Sequence, residues 1–184
     1  LVGTNLADVV SALSGDRFWP DPPDLVVSPV APGPDLSEVR GHRLARKALE
    51  VAAGGGHHLL MLGPPGSGKT MLAQRIPGLL PSLEPDVSLQ ATMVHSAAGV
   101  RLPAGGLVRR APFRAPHHSS SMVSLVGGGS TSLRPGEISL SHGGVLFLDE
   151  LGEFAPTVLD GLRQPLAGGV IRLARARASA SLPA

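Results

Sequence analysis

The stretch Gly63-Pro-Pro-Gly-Ser-Gly68-Lys69-Thr70 constrains this chain more than any other. It fits G-x-x-x-x-G-K-[ST] in full, and its surroundings fit the mechanism behind that pattern. The four apolar residues before it, Leu59–Leu62, have the continuous character of a parallel strand buried on both faces. Met71–Ile76 follows with helical character and is expected to stop at Pro77-Gly78. Glycines at this turn let successive backbone N–H groups point inward and form an anion nest. A helix starting near Gly68 aims the positive end of its dipole at the same anion. The ligand expected here is ATP, held by Gly63, Pro64, Pro65, Gly66, Ser67, Gly68, Lys69, Thr70 and Met71. Lys69 supplies a catalytic point charge to the β- and γ-phosphates, and the Thr70 hydroxyl ligates Mg²⁺.

A second feature completes the chemistry. Val145-Leu-Phe-Leu-Asp149-Glu150 is an apolar strand ending in two carboxylates. Asp149 is the expected second contributor to the Mg²⁺ shell. Glu150 is the expected catalytic residue that orients and polarises the attacking water. An acid at that place favours a hydrolase over a kinase, whose acceptor is bound substrate rather than water.

The rest of the chain supports an α/β reading. Its 184 residues suffice for one such domain plus a short extra segment. Asn5–Leu13 has helical apolar spacing and stops at Ser14-Gly15. Six prolines between Pro20 and Pro34 read as an extended linker, with a boundary near residue 34. A helix follows over 42–56, with Leu44, Ala48, Val51 and Ala52 as its apolar stripe and Gly54–Gly56 at its end. Ser88–Ser96 is expected as a second strand, Pro156 as the start of a helix, and residues 168–184 as a hairpin. Strands alternating with helices argue for a doubly wound parallel sheet.

Cysteine is absent, which excludes disulfides and thiolate metal sites. No apolar run approaches the roughly 20 residues of a membrane span, and the start lacks a basic segment, so a cytoplasmic protein without a signal peptide is expected. His95, His117, His118 and His142 show no H-x-x-x-H spacing, and zinc is not expected. Net charge is only +2, but five arginines and no acid fall between Arg101 and Arg134. Four more arginines and no acid follow Gly161. Such clusters suit phosphate backbones as well as plain solvation.

Together these residues carry a family resemblance. Asp35–Pro81, Phe113–His118, Arg134–Leu151 and Leu162–Leu166 resemble the magnesium-chelatase-like AAA+ ATPases of the ComM/YifB type. The similarity covers about residue 35 to the C-terminus, and residues 1–34 resemble the tail of a Lon-protease-like domain followed by its linker. His58 and Gly143 depart from the family, which often has Asn at both places. The resemblance implies a P-loop (AAA+) three-layer parallel sheet with flanking helices. It also implies that a further strand with its sensor Asn, the arginine finger and the helical lid belong after residue 184. A homo-oligomeric ring, a hexamer with nucleotide at its interfaces, is implied, with Val39 and Gly41 near the adenine. DNA processing is the implied activity, including branch migration; the alternatives are a chelatase-type ATPase that remodels a protein partner, or a nucleotide-dependent assembly module without productive turnover. Within that reading Arg114, His117 and His118 are expected DNA or inter-subunit contacts, and Arg172, Arg175 and Arg177 a DNA-facing hairpin. With aromatics at 3%, arginine contacts to the backbone are expected rather than base stacking.

Overall fold

Apolar surface in the second half of the chain is gathered by helices that cross a β-hairpin. In the first half it is gathered by the turn that leads into the phosphate loop. A computed structural model describes residues 6–15, 33–103, 105–129, 133–175 and 178–184. All but the last two residues of the Pro20–Pro34 stretch expected as a linker, and Arg177, lie outside the described residues. In chain order the helices are α1 (Leu6–Leu13), α2 (Arg43–Gly55), α3 (Lys69–Ala73), α4 (Ile76–Leu79), α5 (Pro85–Ala97), α6 (Met122–Val126), α7 (Glu137–Leu140) and α8 (Pro156–Gly168). The strands are β1 (Phe113–Arg114), β2 (Gly127–Gly128), β3 (Arg134–Pro135), β4 (Val145–Leu146), β5 (Val170–Arg175) and β6 (Ala178–Pro183).

The fold is mixed α/β, with three two-stranded sheets among the described residues. Only β1 and β4 run parallel, with Phe113 opposite Val145 and Arg114 opposite Leu146. Pro112 O accepts from the Val145 N–H, and Arg114 O from the Phe147 N–H, both at 2.8 Å. Phe113 and Phe147 stack at 6.1 Å beside this ladder. Gly144 is required for the close approach, because a Cβ there would stand 2.1 Å from Pro112 O. The hairpin β5–β6 pairs Val170 with Pro183 through to Arg175 with Ala178, as its alternating sequence leads one to expect.

Two cores result. Leu125, Ile138, Phe154, Val158, Leu162, Ile171 and Leu173 form one, uniting α6, α7, α8 and the hairpin. Leu36, Val39, Leu49 and Leu72 form the other, which anchors the turn at 36–38 and α2 to α3. Arg75 reinforces the second core with three hydrogen bonds. Its Nε donates to Asp35 O, its Nη1 to Met71 O and its Nη2 to Glu38 Oε2. Hydrogen bonds from the Ser37 side chain and backbone hold the Asp35 carboxyl below the usual carboxylate range.

Several local expectations are corrected. Ser88–Ser96 is part of α5, not a strand. Pro85 starts the helix, and Ser88, Ala91 and Thr92 recur at helical spacing on its buried face. Thr92 Oγ1 donates to Ser88 O and accepts from the Val108 N–H, and Ser88 Oγ donates to Val108 O, so short polar side chains dock the loop onto this helix. Pro77-Gly78 does not end the helix after the phosphate loop; that helix ends at Ala73, and Pro77 lies in the first turn of α4. Leu59–Leu62 makes no ladder, and Leu62 is 86% exposed, because no strand lies beside it among the described residues. The α2 stripe is likewise displaced. Leu49 is fully buried, whereas Leu44 is 86% exposed on an open apolar groove with Ala48, Val51, Ala52 and Leu59.

Leu49→Ala is therefore expected to cost about 2–5 kcal/mol, while Leu44→Ala changes stability by less than about 0.5 kcal/mol. Denaturant midpoints of the two variants against the parent check this ordering.

Candidate nucleotide site

The phosphate loop leaves Leu62 without regular structure and reverses at Pro65-Gly66 before α3 begins. Gly66 and Gly68 have φ of 76° and 79°, the left-handed backbone that turns amides to one side. Ser67 Oγ is buried without a hydrogen-bond partner, and Lys69 Nζ folds back to Gly63 O at 2.9 Å and Pro64 O at 3.0 Å. An orphaned hydroxyl and an ammonium resting on two neutral carbonyls describe a cradle shaped for an anion. The helix behind it is only five residues long, so backbone amides and Lys69 contribute more than a macrodipole can.

The β1–β4 seam carries the acids to this loop. Thr70 Oγ1 donates to Asp149 Oδ2 at 2.7 Å, although the two lie 79 residues apart. The other Asp149 oxygen, Oδ1, accepts from the Glu150 N–H at 3.0 Å. These contacts aim a hydroxyl and a carboxylate at one point, a pair of hard oxygen donors suited to Mg²⁺. Glu150 has φ 53°, a left-handed conformation that costs a non-glycine residue energy, and its carboxylate meets His118 Nδ1 at 3.2 Å.

The entry segment reaches the same place by another route. Val39 is buried in the core, and its carbonyl accepts from Arg46 Nη1 at 3.2 Å. Gly41 (φ 76°) and His42 (φ 48°) turn the chain into α2. The imidazole Nε2 of His42 then comes within 3.8 Å of where a Cβ on Gly68 would lie, and Met71 Cε within 3.2 Å. His42 was not singled out from the sequence, where a lone histidine before a helix carries no signal. Among the described residues, His42 and Glu150 are the non-glycine positions with positive φ; the first lies beside Gly68, and the second follows Asp149, which Thr70 contacts.

Arg114 does not present a free cation to DNA or a neighbouring subunit. Its Nε and Nη2 both bind the Glu137 carboxylate, at 2.5 and 2.8 Å, and this pairing raises the arginine's pKa above its ordinary value. The fork locks β1 to the start of α7. His95 contacts Leu140 O, and His142 contacts Ala184 O and Gln90 Oε1, so these two histidines serve packing. Arg172 is exposed on β5, while the Arg175 side chain and all of Arg177 lie outside what is described.

A glycine loop, its lysine and threonine, and an acidic strand end set against them define the P-loop class. The family model described as magnesium chelatase, subunit ChlI, matches residues 35–184, and the chain belongs to that family. It is of the magnesium-chelatase-like ComM/YifB type. The competence protein ComM of Haemophilus influenzae is 47% identical over 184 residues, covering 97% of this chain and 36% of that protein. The uncharacterized protein YifB of Escherichia coli is 45% identical over 186 residues, covering 100% of this chain and 36% of its own length. An uncharacterized protein of Mycobacterium tuberculosis is 57% identical over 150 residues, 82% of this chain and 30% of that protein. The chain thus spans about a third of the length of these relatives. No described helix is long and apolar enough to cross a membrane.

Removing the Arg114 fork is expected to leave the largely buried Glu137 carboxylate unpaired and to lower stability by about 2 kcal/mol. Arg114→Lys should recover only part of that, because an ammonium cannot supply two parallel donors. Chemical denaturation of Arg114→Ala, Arg114→Lys and parent measures both shifts.

Proposed function

We propose that this chain forms the nucleotide site of an AAA+ motor that binds ATP, hydrolyses it with Mg²⁺ and acts on DNA. The observation that carries the reading is the 2.7 Å hydrogen bond from Thr70 to Asp149, which joins the phosphate loop to the acidic strand end. Gly63, Pro64, Pro65, Gly66, Ser67, Gly68 and Met71 form the cradle, with Val39 and Gly41 toward the adenine. Lys69 exchanges its two carbonyl contacts for phosphate oxygens, a stronger charge-assisted interaction. Thr70 and Asp149 would hold Mg²⁺, which when bound would supply charge neutralisation at the phosphate oxygens. Glu150 orients the attacking water and accepts its proton.

Residues 1–34 are read as the tail of a preceding domain and a linker, and 35–184 as the AAA+ core. The exposed Leu44, Leu60 and Leu62 are apolar surface of the kind that further strands of a three-layer sheet would cover. A homo-oligomeric ring, a hexamer with nucleotide at subunit interfaces, is part of the same proposal. Identity of 47% to a competence protein supports the DNA reading. The description of the matched family supports a second one, a chelatase-type ATPase that remodels a protein partner.

ATPase rates of the full-length protein with and without branched DNA separate these readings. Stimulation by DNA is expected for the motor, and none at low salt counts against it. Lys69→Ala should abolish nucleotide binding. Glu150→Gln should keep binding while turnover falls by about 10²–10⁴-fold, and normal turnover in that variant would exclude Glu150 as the residue that positions water.

A further inference from the structure

Helix α5 is built the wrong way round for an element that packs only against its own domain. Its buried residues are Ser88, Ala91, Thr92 and Val94, of which Val94 alone is a sizeable apolar side chain. Its largest apolar side chains, Leu89 and Met93, stand 53% and 63% exposed. They lie four residues apart and so share one face, which exposed Ala97 continues for another turn. A helix serving a single core turns its apolar stripe inward and leaves its hydroxyls to solvent. Here the hydroxyls of Ser88 and Thr92 face inward to bind Val108, and the apolar stripe faces outward.

The ends of the stripe show what would cover it. Glu84 and Asp86 stand exposed at the start of α5, and Arg101 stands exposed just past its end. Among the described residues, no side chain forms an ion pair with any of these three. Acids at one end and a base at the other complement a second copy of the same helix laid antiparallel, whereas a parallel copy would set like charges together. Side-chain sizes agree with the charges. When Met93 meets the partner's Met93, Leu89 falls opposite the small side chain of the partner's Ala97. In the same register Asp86 falls at the end that carries the partner's Arg101.

We infer that the outer face of α5 docks a second copy of this chain, antiparallel and about a two-fold axis at Met93. A helix of this length spans only about 20 Å, so the pair buries less than the roughly 800 Å² per partner of a standard interface. The contact is accordingly weak and reversible. A two-fold contact uses the same patch on both chains and cannot by itself close a ring, which needs head-to-tail contacts. It is therefore distinct from the ring contact proposed above and joins one chain, or one ring, to another. It does not rest on the nucleotide reading.

The test uses the full-length protein without nucleotide. Met93→Cys places one thiol on the axis, and mild oxidation is expected to give a band of twice the chain mass on a non-reducing gel. The parent and Val123→Cys, a site on α6 that is 51% exposed, report the background, which Met93→Cys should exceed several-fold. Asp86→Arg or Arg101→Asp, each added to Met93→Cys, should cut the yield about threefold or more, because each sets like charges at both ends of the pair. Both reversals in one chain should restore the yield, since the pairing is then only exchanged. Circular dichroism checks that each variant keeps its helix content. The proposal is overturned by a Met93→Cys yield no greater than that of Val123→Cys, by charge reversals without effect, or by no recovery in the double reversal. A Met93→Cys thiol that neither crosslinks nor reacts with a maleimide puts another part of the protein on the stripe and overturns it as well. Lys69→Ala should leave crosslinking unchanged, so failure of the nucleotide reading and failure of this inference are read separately.

Discussion

The short parallel seam between β1 and β4 is the constraint on which the site depends. Parallel strands end on the same side, so whatever follows each of them is delivered to one place. Here Ala115–His118 follows one strand and Phe147–Glu150 the other, and both arrive beside the phosphate loop. Gly144 permits the backbones to approach, and the Phe113–Phe147 stack and the Arg114–Glu137 fork hold them there. The Thr70–Asp149 hydrogen bond is the product of that alignment rather than its cause.

A second constraint acts from the amino-terminal side. Arg75 ties the backbone of Asp35, the carboxylate of Glu38 and the end of the phosphate-loop helix into one rigid piece. The turn at Gly41-His42 brings the His42 imidazole close to Gly68. The loop that would grip an anion is thus contacted by the amino-terminal segment as well as by the acidic strand end, as a preorganised site requires.

What could be read from the sequence was the chemistry that is local. The phosphate loop, the acidic pair, the helix from Pro156 and the terminal hairpin each announce themselves within a dozen residues. Leu59–Leu62 and the Leu44–Ala48–Val51 stripe were misjudged because apolar character says that a residue can be covered, not that something covers it. Ser88–Ser96 reads as a strand because its buried face has only Val94 beside serine, threonine and alanine, which carry little apolar signal at helical spacing. The Arg114–Glu137 fork and the meeting of His118 with Glu150 join residues more than twenty apart in the chain, and composition holds no record of that.

The length of the connection between β1 and β4 bears on the order in which the molecule assembles. The backbone turn at Gly63–Thr70 needs only neighbouring residues, whereas the seam closes after the 30-residue stretch 115–144 has been brought round. Closing such a stretch costs entropy before any ladder bond returns it, which makes parallel pairing a late event. A newly made chain is accordingly expected to acquire its anion cradle early and its carboxylates last. In that interval the cradle could hold phosphate, while the groups assigned to the metal and the water would still be apart.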